Sequence, residues 1–228
     1  MGPHGVHQCP TSLEGNVKTR EYSTVPGTKG RVLHWAVRYD LLVRLLLLGR
    51  EGPFRERLVQ LARLEPGQSV LDVGCGTGSL AIAAKRRVGA GDVYGIDASP
   101  EMIARARRKA GKAGVHVHFT EGVVEALLFP DRHVDTVLST LMLHHLPREA
   151  RRRCVREIRR VLKPGGRVLA VDFGKPPRGQ KGLLAHLHRH GGIDVHDIAE
   201  LFSEAGFEVI ETGAVGVRSM NFVLTTAR

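Results

Sequence analysis

The stretch Val70-Leu71-Asp72-Val73-Gly74-Cys75-Gly76-Thr77-Gly78 constrains this chain more than any other. A short apolar run leads into three glycines at alternate positions. An amphipathic helical pattern follows at once, with Leu80, Ile82, Ala83, Ala84 and Val88 on one side. The segment therefore reads as a strand, a tight turn and a helix start. Glycine tolerates positive φ and lets a ligand lie against bare backbone. The helix N-terminus behind the turn offers free N–H groups and a partial positive charge. Asp97 ends the next apolar run, Val93-Tyr94-Gly95-Ile96, 21 residues beyond Gly76. An acid at that spacing suits the hydroxyls of a ribose.

The glycine spacing decides between nucleotide cofactors. A dinucleotide fingerprint needs G-x-G-x-x-G, but here Ser79 stands where the last glycine would fall. Asp72, two residues before the first glycine, would repel a pyrophosphate and suits an ammonium group. A ligand with an amino-acid end and a nucleoside end satisfies both facts. On Val70–Gly78 and Asp97, the chain resembles the class I S-adenosylmethionine-dependent methyltransferases. The likeness continues through Gly122, Asp135 to His145, and Leu162-Lys163-Pro164-Gly165-Gly166. It is nearest to the small-molecule branch that includes the ubiquinone and menaquinone methyltransferases.

The resemblance implies a doubly wound α/β fold, with a seven-stranded, mostly parallel sheet whose last strand is antiparallel. It also implies S-adenosyl-L-methionine as cofactor, with S-adenosyl-L-homocysteine as product. Gly74, Cys75, Gly76 and Gly78 would hold the methionine end, with Asp72 near its ammonium group. Asp97 would hold the ribose, with Ala98 and Met102 packed beside it. Gly122, Val123 and Val124 would form the adenine edge, and Ser139 would close the cofactor site from the fourth strand. Many relatives carry an acid where Val123 stands, so adenine here would rely on backbone groups and packing. Tyr39, followed by Asp40, would reach the cofactor's carboxylate.

Alternating strand and helix patterns support the same architecture. Strands are expected at 68–73, 91–97, 115–119, 134–139, 166–173, 207–212 and 218–226. Helices are expected at 78–88, 99–113, 147–163 and 194–205. Residues 1–30 read as a flexible tail and candidate lid, rich in glycine and proline. Residues 31–64 read as a helical extension interrupted near Gly49–Pro53, and 65–228 as the cofactor-binding domain. The apolar run 41–48 is broken by Arg44 and is far shorter than the roughly 20 residues of a membrane span. It suits a helix packed on a sheet or one lying at an interface. No signal peptide is visible, and three scattered cysteines make no disulfide framework. A cytoplasmic protein is expected, monomeric or homodimeric and peripheral at the membrane if its acceptor is lipidic.

Methyl transfer from a sulfonium needs alignment and exclusion of water, and a base only when the acceptor holds its proton tightly. His144 and His145, at the mouth of the fourth strand, are the candidate bases. Their alternative role is to shape the loop before Pro147. His186, His188 and His190 suggest a metal, but only the first and last share a helix face, so a pocket wall is the better reading and no metal is expected. Seven arginines between Arg148 and Lys163 form either a solvated face or a patch for phosphate or membrane.

The formal net charge of +11 keeps an RNA methyltransferase in view. That reading would usually bring an acidic-Pro-Pro-aromatic tetrad, where this chain has Ser139-Thr140-Leu141-Met142. A non-catalytic cofactor-binding protein is the third reading, since this chemistry leaves little mark in sequence. The expected activity is methylation of a small molecule that is apolar and quinol-like, or an anionic or thiol nucleophile.

Overall fold

Val70–Val73 (β1) is flanked on both sides by parallel strands, Val93–Asp97 (β2) and Val134–Thr140 (β4). The computed structural model describes residues 51–174, 193–217 and 220–228. Its sheet has seven strands in the order β3-β2-β1-β4-β5-β7-β6. Here β3 is His118–Glu121, β5 Leu162–Phe173, β6 Phe207–Ala214 and β7 Met220–Ala227. Only β7 runs against its neighbours. The expected fold class is therefore the one observed.

Buried apolar rows cover both faces. Glu51–Leu61 (α1), Ser79–Val88 (α2) and Pro100–Ala113 (α3) close one face with Leu58, Leu80, Ile82, Ala84, Ile103 and Ala106. Arg148–Val161 (α4) and Val195–Glu204 (α5) close the other with Cys154, Val155, Ile158, Ile198 and Phe202. The near-continuous burial of β1, β4 and β7 follows from cover on both sides.

Several boundaries differ from the sequence reading, each for a local reason. The expected interruption near Gly49–Pro53 falls at the edge of the described residues, with Gly52 and Pro53 inside them. These two lie in the first described turn of α1, where a missing N–H does no harm. The third strand starts at His118 rather than 115, because Gly114 caps α3 at φ 65° and the Val115 N–H still donates to Ala110 O. The fourth helix stops at Val161 and Leu162 is already extended, as expected two residues before Pro164. The strand then carries the Lys-Pro-Gly-Gly segment through a register shift against β4. Tyr39, Asp40, the apolar run 41–48, Cys9, and His186, His188 and His190 lie outside the described residues.

The arginine run is more engaged than a solvated face would be. Arg151 donates to Leu143 O at 2.8 Å, Arg152 pairs with Glu204, and Arg159 reaches the carbonyl of Arg228. Arg148, Arg153 and Arg156 are exposed.

Candidate functional site

The carboxyl ends of β2, β1, β4 and β5 lie side by side, and the glycine turn sits among them. Register places Val73 between Ile96 and Ser139, so the turn that follows is flanked by Asp97 and the end of β4. The N–H groups of Gly74 and Cys75 both donate to Ile96 O. Gly76 N–H donates to Asp97 Oδ2 at 2.9 Å. Gly74 has φ 70°, and a Cβ there would lie 2.3 Å from Met142 Cγ. Gly78 has φ 75°, and a Cβ would lie 2.5 Å from Phe119 Cζ. Only glycine fits both the backbone and the space at these two positions.

The two acids meet here. Burial pushes the Asp72 carboxyl up to about 7, and the nearby charge of Asp97 adds to the rise. Its Oδ2 is buried with no hydrogen-bond partner among the described residues. Burial also lifts Asp97, while the N–H groups of Ser99 and Gly76 oppose the rise. Burial, then Asp72 and Asp97, hold the Cys75 thiol well above its ordinary range, so this cysteine contributes backbone and volume, not a thiolate. A buried carboxyl with an orphan oxygen, beside a second, half-buried acid, lacks a cation. The amino-acid end of S-adenosylmethionine supplies one, so the residues present fit the cofactor. Ser139, 1% exposed with an unpartnered Oγ, is a second orphan at the end of β4.

Asp97 also accepts the Ser99 N–H at 2.9 Å, and Ser99 Oγ caps α3 by accepting from Met102 N–H. Ala98 is half-buried and Met102 buried beside it. Gly122 N–H donates to Asp97 O at 3.0 Å, which brings Val123 and Val124, both buried, next to the acid.

The structure separates the two histidines. Leu141 takes a left-handed φ of 55° at the end of β4, and Leu143–His145 form a single 3-10 turn over the end of β5. His144 Nδ1 lies 2.6 Å from Asp172 Oδ1, and the His144 N–H donates to Asp172 Oδ2 at 3.1 Å. The Phe173 N–H also donates to Asp172, whose side chain is fully buried. An ionised carboxylate only accepts, so Nδ1 is the donor, and in the neutral ring this tautomer puts the lone pair on Nε2. The His145 ring lies tilted by 46° to that of His144, with centroids 3.8 Å apart.

Asp172 lies in a stretch, 172–176, that the rule of ligands at the carboxyl ends of strands singles out, but the sequence alone gives it no role, although it ends an apolar run, Val168–Val171, just as Asp97 does. Two motif members turn out to sit at the other end of the sheet. Asp135 accepts from Ser69 and pairs with Lys163 at 2.9 Å, a support and not a ligand site. No group of three or more metal-ligating side chains comes together among the described residues.

Comparison with known proteins agrees with this geometry. Residues 70–166 match the methyltransferase domain family. The demethylmenaquinone methyltransferase of Thermus thermophilus is 40% identical over 153 residues, 67% of this chain and 69% of that protein. The ubiquinone/menaquinone biosynthesis C-methyltransferase UbiE of Azotobacter vinelandii is 33% identical over 152 residues, 65% of this chain and 59% of that one. The matches thus leave about a third or more of each relative's length uncovered. A methyltransferase from Aquifex aeolicus shares the fold, with a TM-score of 0.71 at 24% identity over 85% of this chain and 98% of its own. The turn, the paired acids and these relatives converge: the chain belongs to the class I S-adenosylmethionine-dependent methyltransferases, alongside the ubiquinone and menaquinone enzymes.

Proposed function

We propose that this methyltransferase methylates a ring carbon of a hydroquinone bearing an apolar side chain, with His144 as the base. The observation that carries the reading is the His144–Asp172 pair at the mouth of β4 and β5. The relatives named for demethylmenaquinone and for ubiquinone and menaquinone biosynthesis support the acceptor class.

When bound, S-adenosylmethionine supplies an activated methyl group. The protein must hold it, raise the nucleophilicity of the acceptor and exclude water. Asp72 would take the ammonium group, Asp97 the ribose hydroxyls, and Gly122–Val124 the adenine. His144 Nε2 would accept the phenolic proton of the hydroquinone. The oxygen's electron pair would then raise electron density at the adjacent ring carbon, the atom that would take the methyl as the sulfur leaves with the C–S bonding pair in S-adenosylhomocysteine. Loss of that carbon's proton to water, with return of the phenolic proton from His144, would restore the aromatic hydroquinone. Asp172 keeps the imidazole in the tautomer this needs.

No helix among the described residues is long and apolar enough to cross a membrane. A lipid-borne acceptor would then require peripheral contact with the bilayer surface.

The test is transfer of labelled methyl from S-adenosylmethionine to a short-chain naphthohydroquinone. His144→Gln should lower turnover by roughly 10²-fold while S-adenosylhomocysteine binds as in wild type. Asp172→Asn should lower it in the same direction, since the amide can present an N–H and stabilise the wrong tautomer. Full turnover in His144→Gln would eliminate the base. Methylation of simple primary amines with none of the hydroquinone would eliminate the acceptor class.

A further inference from the structure

The connection from β3 to β4, residues 122–133, contains no helix, although the β1–β2, β2–β3 and β4–β5 connections each contain one. Irregular backbone at this depth needs partners for its polar groups. Val123, Val124 and Leu127 are buried, so water does not serve them fully. The partners come from α4. Arg160 Nη2 donates to Leu127 O at 2.8 Å, and Nη1 donates to Phe129 O at 2.7 Å and to Asp131 Oδ1 at 2.8 Å. Its Nε and Nη2 also donate to the two oxygens of Glu157, at 3.0 and 2.7 Å. Glu157 Oε2 in turn accepts the Leu127 N–H at 2.8 Å. All five N–H donors of the guanidinium are thereby used, in a fixed planar fork.

The place of this brace gives it a meaning beyond stability. It grips the loop at Leu127, Phe129 and Asp131, immediately after Gly122–Val124. The other end of that segment is held by the Gly122 N–H on Asp97 O. Val123 offers no side-chain acceptor for a base, so along Gly122–Val124 a base meets only backbone N–H and C=O groups. Backbone groups discriminate only when the loop is fixed, and Arg160 with Glu157 fixes it.

We propose that Arg160 is a positioning residue for base recognition: through Leu127 and Phe129 it holds the 122–131 loop so that its backbone selects adenine over a base with altered hydrogen bonding. This rests on Gly122–Val124 being the adenine wall. Lysine at this position keeps the charge but has three donors on one atom and cannot reproduce the fork.

The experiment measures binding of S-adenosylhomocysteine and of S-inosylhomocysteine by calorimetry. Hypoxanthine replaces the amino donor of adenine with an oxo acceptor and adds a donor at N1. Wild type should prefer the adenine ligand by about tenfold or more, as unpaired buried polar groups penalise the wrong base. In Arg160→Lys that preference should collapse to within about threefold, chiefly through lost adenine affinity. Hydrogen exchange at the Leu127 amide should accelerate, while amides of Leu169 and Val223 in the central sheet stay protected. If Arg160→Lys does not fold, Glu157→Gln, which keeps an acceptor for Leu127 but loses the charge pair, should show the same collapse in weaker form.

Equal wild-type affinity for the two ligands would overturn the adenine wall itself. A wild-type preference that persists unchanged in Arg160→Lys and in Glu157→Gln would overturn the brace and leave the wall standing. Parallel weakening of both ligands, with the ratio preserved, would show a merely structural role and would equally overturn the proposal.

Discussion

Asp97 shows how one side chain serves two structural needs before any ligand arrives. One oxygen accepts from Gly76 and shapes the glycine turn; the other accepts from Ser99 and starts α3. Each carboxylate oxygen has a second lone pair, so ribose hydroxyls can still be received. Asp97→Ala should weaken S-adenosylhomocysteine by about 1.5–3 kcal/mol, the range of a hydrogen bond to a charged group. Because the same change frees the turn, affinity alone is ambiguous. The 2′-deoxyribose analogue separates the causes: wild type should bind it more weakly than the parent ligand, and Asp97→Ala should bind the two alike. Wild-type indifference to the missing hydroxyl would remove ribose from Asp97. The position of this acid was legible because strand, glycine turn and acid follow one another along the chain. Asp172 and Arg160 were not, because their partners lie 28 to 33 residues away and only the folded sheet brings them together. The equal weight given to His144 and His145 had the same origin: adjacent in sequence, they differ only in which one meets Asp172.

At the scale of elements, the alternation of strands and helices was readable, and its errors gather where chain exits are negotiated, at Gly114 and at Leu162. Side-chain periodicity says where an element repeats, not how it is left. Nor does it show why two glycines 17 residues apart depend on one ring. Phe119, on the edge strand β3, fills the space over Gly78 and over Gly95 in β2. A Cβ on Gly95 would lie 2.6 Å from Phe119 Cδ1 and 3.0 Å from Cys75 Sγ. Gly95 does not need a positive φ, so space alone forbids a side chain there. Gly95→Ala should therefore destabilise by about 1–3 kcal/mol through overpacking. Phe119→Leu should cost about 1–2 kcal/mol through a partly filled cavity, at the low end for a core truncation. The double variant should be more stable than the sum of the two, because each change relieves the other. Denaturant melts of the four proteins give the coupling directly, and simple additivity would show that the ring and the glycine are not in competition.

For the molecule as a whole, the buried acids of the site set how stability responds to pH. Asp72 has a folded pKa of about 7 against 3.8 in the ordinary range, so the folded state binds the extra proton between those values. A raised carboxyl contributes stability that is complete below about pH 4 and is lost as pH rises to about 7. At 1.4 kcal/mol for each pH unit this amounts to about 4 kcal/mol, an upper figure because local opening hydrates the group. Asp97, also raised, acts in the same direction. Asp135, held low by Lys163 and Ser69 despite partial burial, acts oppositely, but its stability is lost only as pH falls below about 4. His118, lowered mainly by burial and by His116, favours folding as pH rises through its ordinary 6.5, and it is largely exposed. The chain carries a formal net charge of +11, and its self-repulsion works against the compact state. In 0.15 M salt that repulsion is screened beyond about 8 Å, whereas a fully buried carboxyl is hardly screened. The buried acid therefore wins, and the cofactor-free protein should melt at a higher temperature at pH 5 than at pH 8. Asp72→Asn should flatten the slope by raising the melting temperature at pH 8, and the difference between the two proteins cancels every other titrating group. Saturating S-adenosylhomocysteine should stabilise wild type more at pH 8 than at pH 5, since its ammonium group pairs with the ionised form, and should lose that bias in Asp72→Asn. Parallel melting curves for wild type and Asp72→Asn from pH 5 to 8 would mean that Asp72 is ionised at no cost, and that the glycine turn does not await a cation.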